Sequence, residues 1–217
     1  MAKIVECVPN FSEGRNLEVI EALAAAARSI PGVMLLDYSA DASHNRSVFT
    51  LAGDPAQIEE AAFQLCRLAS ETIDMTKHSG EHPRMGATDV IPFIPVQDVT
   101  IEECVKISRR VAERIWKELQ IPIFLYEDAA SVPERRNLAN VRKGQFEGMP
   151  EKLLLEEWAP DFGNRKIHPT AGITAVGART FLVAYNVNLN TSSLEIANAI
   201  AKAIRGSSGG YAHCKAI

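Results

Sequence analysis

Between Ile4 and Tyr126 two periodicities alternate, and their order limits the possible folds more than any other feature of the chain. Short runs rich in branched residues, Ile4 to Val8, Val33 to Tyr38, Ser47 to Ala52, Asp89 to Val96 and Ile123 to Tyr126, have the length and residue type of strands. Three segments between them repeat apolar residues at helical spacing: Leu17, Ile20, Ala24, Ala27; then Ile58, Ala62, Leu65, Cys66, Ala69; then Ile101, Cys104, Val105, Val111, Ala112, Ile115, Leu119. Each has a start signal: Asn16, Asp54 before Pro55, and Thr100 with Glu103 as a capping box. Strand, helix, strand, strand, helix, strand is the split βαβ order. The sequence therefore predicts an α+β chain with two-layer ferredoxin-like (βαββαβ) packing and extra loops.

The remaining boundaries follow from turn residues. Ser39 to Arg46 reads as a polar loop, and Pro92 and Pro95 point to an edge strand or to bulges because proline lacks a ladder donor. Glu6 alternates outward. Glu127 to Glu157 is polar and short-helical, with Pro150 opening a last helix near Trp158. A basic, glycine-bounded loop, Gly163 to Gly172, precedes an expected strand from Phe181 to Asn188. Thr191 or Ser192 would cap a helix to Ile204, Arg205 to Gly210 reads as a linker, and Tyr211 to Ile217 as the start of a strand. With a net charge of −4 and no lysine or arginine run, an extended nucleic-acid surface is not expected. No apolar stretch approaches the ~18 residues of a membrane span, and no charged-then-apolar leader precedes the first strand. Cys7, Cys66, Cys104 and Cys214 show no metal spacing and read as thiols of a reducing, cytoplasmic compartment.

Chemistry concentrates in the segment Asp74 to Pro95. It holds His78, His82, Glu81, Lys77 and Arg84 among two glycines and a proline, between a helix and a strand. His78 to His82 spells H-x-x-E-H, a zinc-peptidase pattern that requires both histidines on one helix face. Gly80 between them and Pro83 after them oppose a helix. The segment is better read as a loop presenting one imidazole, His82, from a rigid turn, with no metal. The letters D-F-G at Asp161 to Gly163 lack the other kinase motifs and carry no such meaning.

Several stretches together resemble one family: V-E-C-V-P-N-F-S-E-G-R from Val5, H-N-R from His44, H-S-G-E-H-P-R-M-G-A-T-D-V from His78, E-W-A-P-D-F-G from Glu157 and V-G-A-R-x-F-L-V-A-Y-N-V-N-L from Val176. The chain resembles the glutamate formimidoyltransferases, also met as the transferase half of formimidoyltransferase-cyclodeaminases, along nearly its whole length. The resemblance implies transfer of a formimidoyl group between N5 of tetrahydrofolate, a co-substrate, and the amino group of L-glutamate, in histidine breakdown. It implies residues 1–181 as an N-terminal subdomain and 182–217 as the truncated beginning of a C-terminal one, and a homodimer. It places the catalytic histidine on His82 and folate binding on Gly163, Asn164, Arg165, Lys166, Ile167, His168, Pro169, Thr170, Ala171 and Gly172. The family's assisting acidic residue corresponds to Ser39 here, so Asp37 or Asp41 is the expected substitute.

Such a transfer needs a base to free the attacking amine and an acid to protonate the departing nitrogen. A histidine, with its ordinary pKa near ~6.5, can do both. Arg84, Arg46 and Lys77 are candidates for the substrate carboxylates. Two rival readings remain at this level: a folate-binding fragment without turnover, and a zinc-dependent hydrolase.

Overall fold

The computed structural model describes residues 2–183 and 187–216. Residue contacts divide the chain into two compact units, Met1–Phe181 and Leu182–Ile217.

In the first unit, the initial strand comes in two pieces, β1 (Ile4–Cys7) and β2 (Asn10–Phe11), interrupted at Val8 and Pro9. Helix α1 (Leu17–Ser29) follows, then β3 (Val33–Asp41), β4 (Arg46–Gly53), α2 (Pro55–Thr72) and β5 (Thr88–Gln97). Both pieces of the first strand lie between β4 and β5, and β3 pairs outside β4, all antiparallel. This is the split βαβ core that the sequence predicts. Helix α3 (Ile101–Leu119) then crosses to β6 (Ile123–Glu127), and β7 (Thr174–Ala178) inserts between β5 and β6, parallel to both. The result is one sheet whose antiparallel half is extended by a parallel half.

The predicted caps form. Asn16 and Asp54 accept from Glu18 N–H and Ala56 N–H, and Thr100 with Glu103 makes both bonds of the capping box. Helices α1, α2 and α3 bury one stripe each against one face of the sheet, meeting Val5, Cys7, Phe11, Phe49, Leu51, Ile91 and Phe93. Leu17, expected on that stripe, is exposed at the first turn of α1; Leu23 takes its place. A second cluster, containing Val90, Phe124, Tyr126, Ala175, Val141 and Met149, covers the opposite face of the parallel half. Along β6, Ile123 and Leu125 join the first cluster while Phe124 and Tyr126 join the second, as strand alternation requires. The second cover comes from the polar segment after β6: a 3-10 turn Pro133–Arg136, α4 (Leu138–Arg142), α5 (Gln145–Lys152) and a 3-10 turn Glu156–Trp158.

Four expectations need correction. The loop Ser39 to Arg46 is shorter, because the β3–β4 ladder continues through Ser39–Val48, Ala40–Ser47 and Asp41–Arg46, leaving only Ala42 to Asn45 as the turn. Of the two readings of Pro92 and Pro95, the edge strand is wrong, because β5 is central, and the bulge holds. Pro92 lies opposite the interruption between β1 and β2, where Val8 N–H donates to its carbonyl, and Pro95 sits at a bulge opposite Val5. Both missing donors thus fall where the ladder is already broken. Pro150 lies inside α5 rather than opening a later helix. The basic loop leads into β7 at Thr174; of the expected strand Phe181 to Asn188, residues 184–186 lie outside the described residues and the described flanks carry no strand.

In the second unit, Ser193, rather than Thr191 or Ser192, caps α6 (Leu194–Ile204) through Ile196 N–H. The expected linker is a 3-10 turn, Gly206–Ser208, with Gly206 N–H donating to Cys214. Tyr211 makes an isolated bridge to Arg205 where a strand was expected; Ile217 lies outside the described residues.

Candidate active site

After α2 the chain makes a 3-10 turn, Met75–Lys77, capped by Asp74, and then runs without regular structure to β5. Two glycines let this loop dock closely. A Cβ on Gly80 would stand 2.3 Å from the His44 carbonyl oxygen, and one on Gly86 would stand 2.3 Å from that of Ile173. The docked backbone then bonds the β3–β4 turn, with Glu81 N–H on Ser43 O (3.1 Å) and His82 N–H on His44 O (3.4 Å).

Side-chain bonds from Arg84 and His78 fix the loop further. Arg84 is buried, and its five N–H groups have five bonds: to His78 Nδ1, His78 O, Gln145 and both oxygens of Glu147. Since His78 Nδ1 accepts from Arg84 (3.1 Å), its Nε2–H donates to Asn45 O (2.9 Å). Arg84 is therefore spent on architecture, and its expected role at a substrate carboxylate has no donor left to serve it. The rings of His78 and His82 turn to separate partners, not to one point as the zinc reading requires. Among the described residues no three His, Cys, Asp or Glu side chains gather at metal-binding spacing.

His82 Nε2 lies 3.2 Å from Asp89 Oδ2, and the imidazole is buried. Asp89 is wholly buried. Its other oxygen accepts Met85 N–H (3.0 Å), and Arg142, the last residue of α4, donates to Oδ2 through Nε (3.0 Å) and Nη2. A β-bulge aims this carboxylate. Asn10 opposes Val90 and Phe11 opposes Thr88, so Asp89 is the extra residue, turned to the side of the sheet that α4 covers. Burial alone would raise the Asp89 carboxyl, but Arg142 and His82 hold it below the usual carboxylate range. Burial also pulls His82 below its ordinary value, reinforced by the cations of Arg142 and Arg46 and opposed by Asp89. An ionised Asp89 takes the Nε2–H and leaves Nδ1 as the basic nitrogen. The arrangement is a neutral imidazole, oriented by a carboxylate and ready to accept a proton.

Arg46, on β4, is half-buried beside this pair. One guanidinium nitrogen reaches Asn10 Oδ1 at 3.3 Å, and its Nε has no partner. It keeps donors for an anion. Lys77 is exposed and paired with Asp74 (3.1 Å). Asp37 is exposed on β3, and Asp41 closes the β3–β4 turn by accepting His44 N–H (2.8 Å), a bond that holds its carboxyl low. Among the described residues neither contacts His82. The partner is Asp89, which the sequence places at the start of a strand. Its signal was available: one carboxylate within an otherwise apolar run, T-D-V-I-P-F-I-P-V. Arg142 offered no comparable signal.

The segment Gly163 to Gly172 divides in two. Asn164, Arg165 and Lys166 are exposed, with Arg165 bonded to Glu156 (2.7 Å), and Ile167 packs on the second cluster. From His168 to Gly172 the chain forms a tight turn, and its end is stitched to the loop around His82: Met75 N–H on Thr170 O, Ala87 N–H on Ala171 O, and Ile173 N–H on Met85 O. Burial lowers His168 below its ordinary value, and its Nδ1 accepts Ala171 N–H.

Fold and site together define a ferredoxin-like α+β chain with a buried histidine–aspartate–arginine centre that has the geometry for proton transfer. Residues 4–179 match the formiminotransferase domain, N-terminal subdomain. The whole chain is 73% identical to a glutamate formimidoyltransferase of Streptococcus pyogenes and spans 73% of that protein. It is 47% identical over 216 residues to a glutamate formimidoyltransferase of Thermoplasma acidophilum, spanning 71% of it. It is 50% identical over 205 residues to a formimidoyltransferase-cyclodeaminase of Mus musculus, of which it spans 38%. The chain belongs to the formiminotransferase family.

Proposed function

We propose that this chain catalyses transfer of a formimidoyl group between 5-formimidoyltetrahydrofolate and L-glutamate. Two relatives named glutamate formimidoyltransferase, spanned over 73% and 71% of their lengths, support the activity. The observation that carries the mechanism is the His82–Asp89–Arg142 line, which keeps a buried imidazole neutral and oriented.

In this reading His82 Nδ1 takes a proton from the attacking ammonium, because only the free amine is nucleophilic. The imidazolium so formed is stabilised by Asp89 and protonates the departing folate nitrogen as the tetrahedral intermediate collapses. Arg46, with donors to spare, holds a substrate carboxylate. The turn from His168 to Gly172, bonded to the loop that carries His82, holds the folate next to the imidazole. Arg165 and Lys166 reach its anionic tail. Residues 182–217 belong to a second subdomain, which the division after Phe181 favours. Among the described residues no helix is long and apolar enough to cross a membrane, and all four cysteines are free thiols, which favours a cytosolic, reducing location.

Purified chain given 5-formimidoyltetrahydrofolate and L-glutamate is expected to release tetrahydrofolate and N-formimidoylglutamate. Binding of tetrahydrofolate without a glutamate-dependent product would favour the folate-binding fragment instead.

A further inference from the structure

Helix α4 ends at Arg142, the residue that holds Asp89, and its closing turn carries one weak backbone bond, Lys143 N–H on Asn140 O (3.3 Å), leaving its last carbonyls to other donors. Those carbonyls converge on a single side chain. Lys152, at the end of α5, donates from Nζ to Asn140 O (2.7 Å), Val141 O (2.7 Å) and Lys143 O (3.1 Å). Three bonds use all three N–H groups of an ammonium. They grip the backbone on both sides of Arg142. The lysine is itself anchored, since its Nζ lies 3.8 Å from the centre of the Trp158 ring, whose edge meets Phe124 of β6.

We infer that Lys152 is a positioning residue for the catalytic pair: by clamping the end of α4 it aims Arg142 at Asp89 and so sets the proton affinity of His82. The inference rests on the reading of His82 as the proton shuttle. Burial, with Lys143 and Arg135 nearby, brings the ammonium down to about 8, and it remains charged at neutral pH. The charged groups facing His82 are Asp89 on β5, Arg142 on α4 and Arg46 on β4. If Arg142 swings away, His82 loses a repelling cation and Asp89 turns its full charge to the imidazole. Both changes raise the His82 pKa.

The test is an NMR titration of the His82 ring in the intact chain, alongside turnover. Lys152→Met is expected to raise the His82 pKa by about 0.5 to 1 unit, and Lys152→Arg to restore most of the original value. In an Arg142→Ala background Lys152→Met should add no further shift. Should Lys152→Met not fold, Lys152→Gln, which keeps two amide N–H donors on a shorter stem and no charge, carries the same expectation. An unchanged His82 pKa in the folded variant, or a shift that persists without Arg142, would overturn the inference. A shifted pKa with turnover unchanged across pH would keep the clamp and overturn the shuttle.

Discussion

At the level of single residues, the proposed proton transfer depends on a division of labour between His82 and Asp89. In the proposed mechanism the carboxylate does not touch substrate, and Arg142 and His82 hold it below the usual carboxylate range. It selects which imidazole nitrogen carries the proton and stabilises the ring once charged. Asp89→Asn keeps a similar shape but removes the charge and can present an amide N–H to Nε2, favouring the wrong tautomer. Steady-state kinetics should then show kcat reduced by roughly 10- to 10³-fold with KM little altered. The same substitution leaves Arg142 without its counter-charge in a buried setting, so denaturant unfolding should also show a loss of about 3 kcal/mol or more. Normal kcat in a correctly folded Asp89→Asn would mean that the carboxylate only fills space. Arg46 gives a separable outcome: Arg46→Gln should raise KM for glutamate at least several-fold while kcat changes less, and an unaltered KM would remove it from the substrate site.

At the level of elements, the site depends on close approach of loops rather than on any one helix or strand. Gly80 is the clearest instance, since a methyl group there would stand 2.3 Å from the His44 carbonyl. Gly80→Ala should cost about 1–3 kcal/mol in chemical denaturation and lower activity with it; a variant as stable and active as the parent would show that the loop has room to move. The same scale explains what could be read from sequence. Helices α1, α2 and α3 announced themselves through caps and stripes because local signals determine them. The strand β7 did not. Its residues, T-A-V-G-A, are small because it is buried between two parallel strands with packing on both faces, and Gly177 lies against Tyr126, so strand preference was overridden by space. Asp89 was missed for a related reason. Alternation assigns each strand residue a face, and the bulge breaks alternation at that position. His82 could be found from sequence because chemistry clusters visibly around it; Asp89 stands in the same segment, but the bulge that turns it to the imidazole and the short helix that brings Arg142 are set by the fold.

For the molecule as a whole, the buried site makes stability depend on acid. Folding holds His82 below its ordinary pKa, so below about 6.5 the unfolded chain binds a proton that the folded chain resists. Stability therefore falls as pH drops through the unfolded value and stops falling below the folded one. Asp89 acts with the same sign at lower pH: its contribution is intact above about 3.9 and is lost as pH falls through its depressed folded value. His78 and His168, also lowered by burial, add to the first step. Urea midpoints measured from pH 7.5 to 5.5 should decline, and His82→Gln should make the decline shallower without abolishing it; an equally steep decline would place His82 outside the titrating set. Whether His82 moves the protons during transfer is decided by kcat/KM as a function of pH for the parent chain and His82→Ala. The parent should lose activity on an acid limb below about pH 6.5, and His82→Ala should be slower by about 10²- to 10⁴-fold with that limb gone. Parent-level activity in His82→Ala, with the same acid limb, would contradict the account.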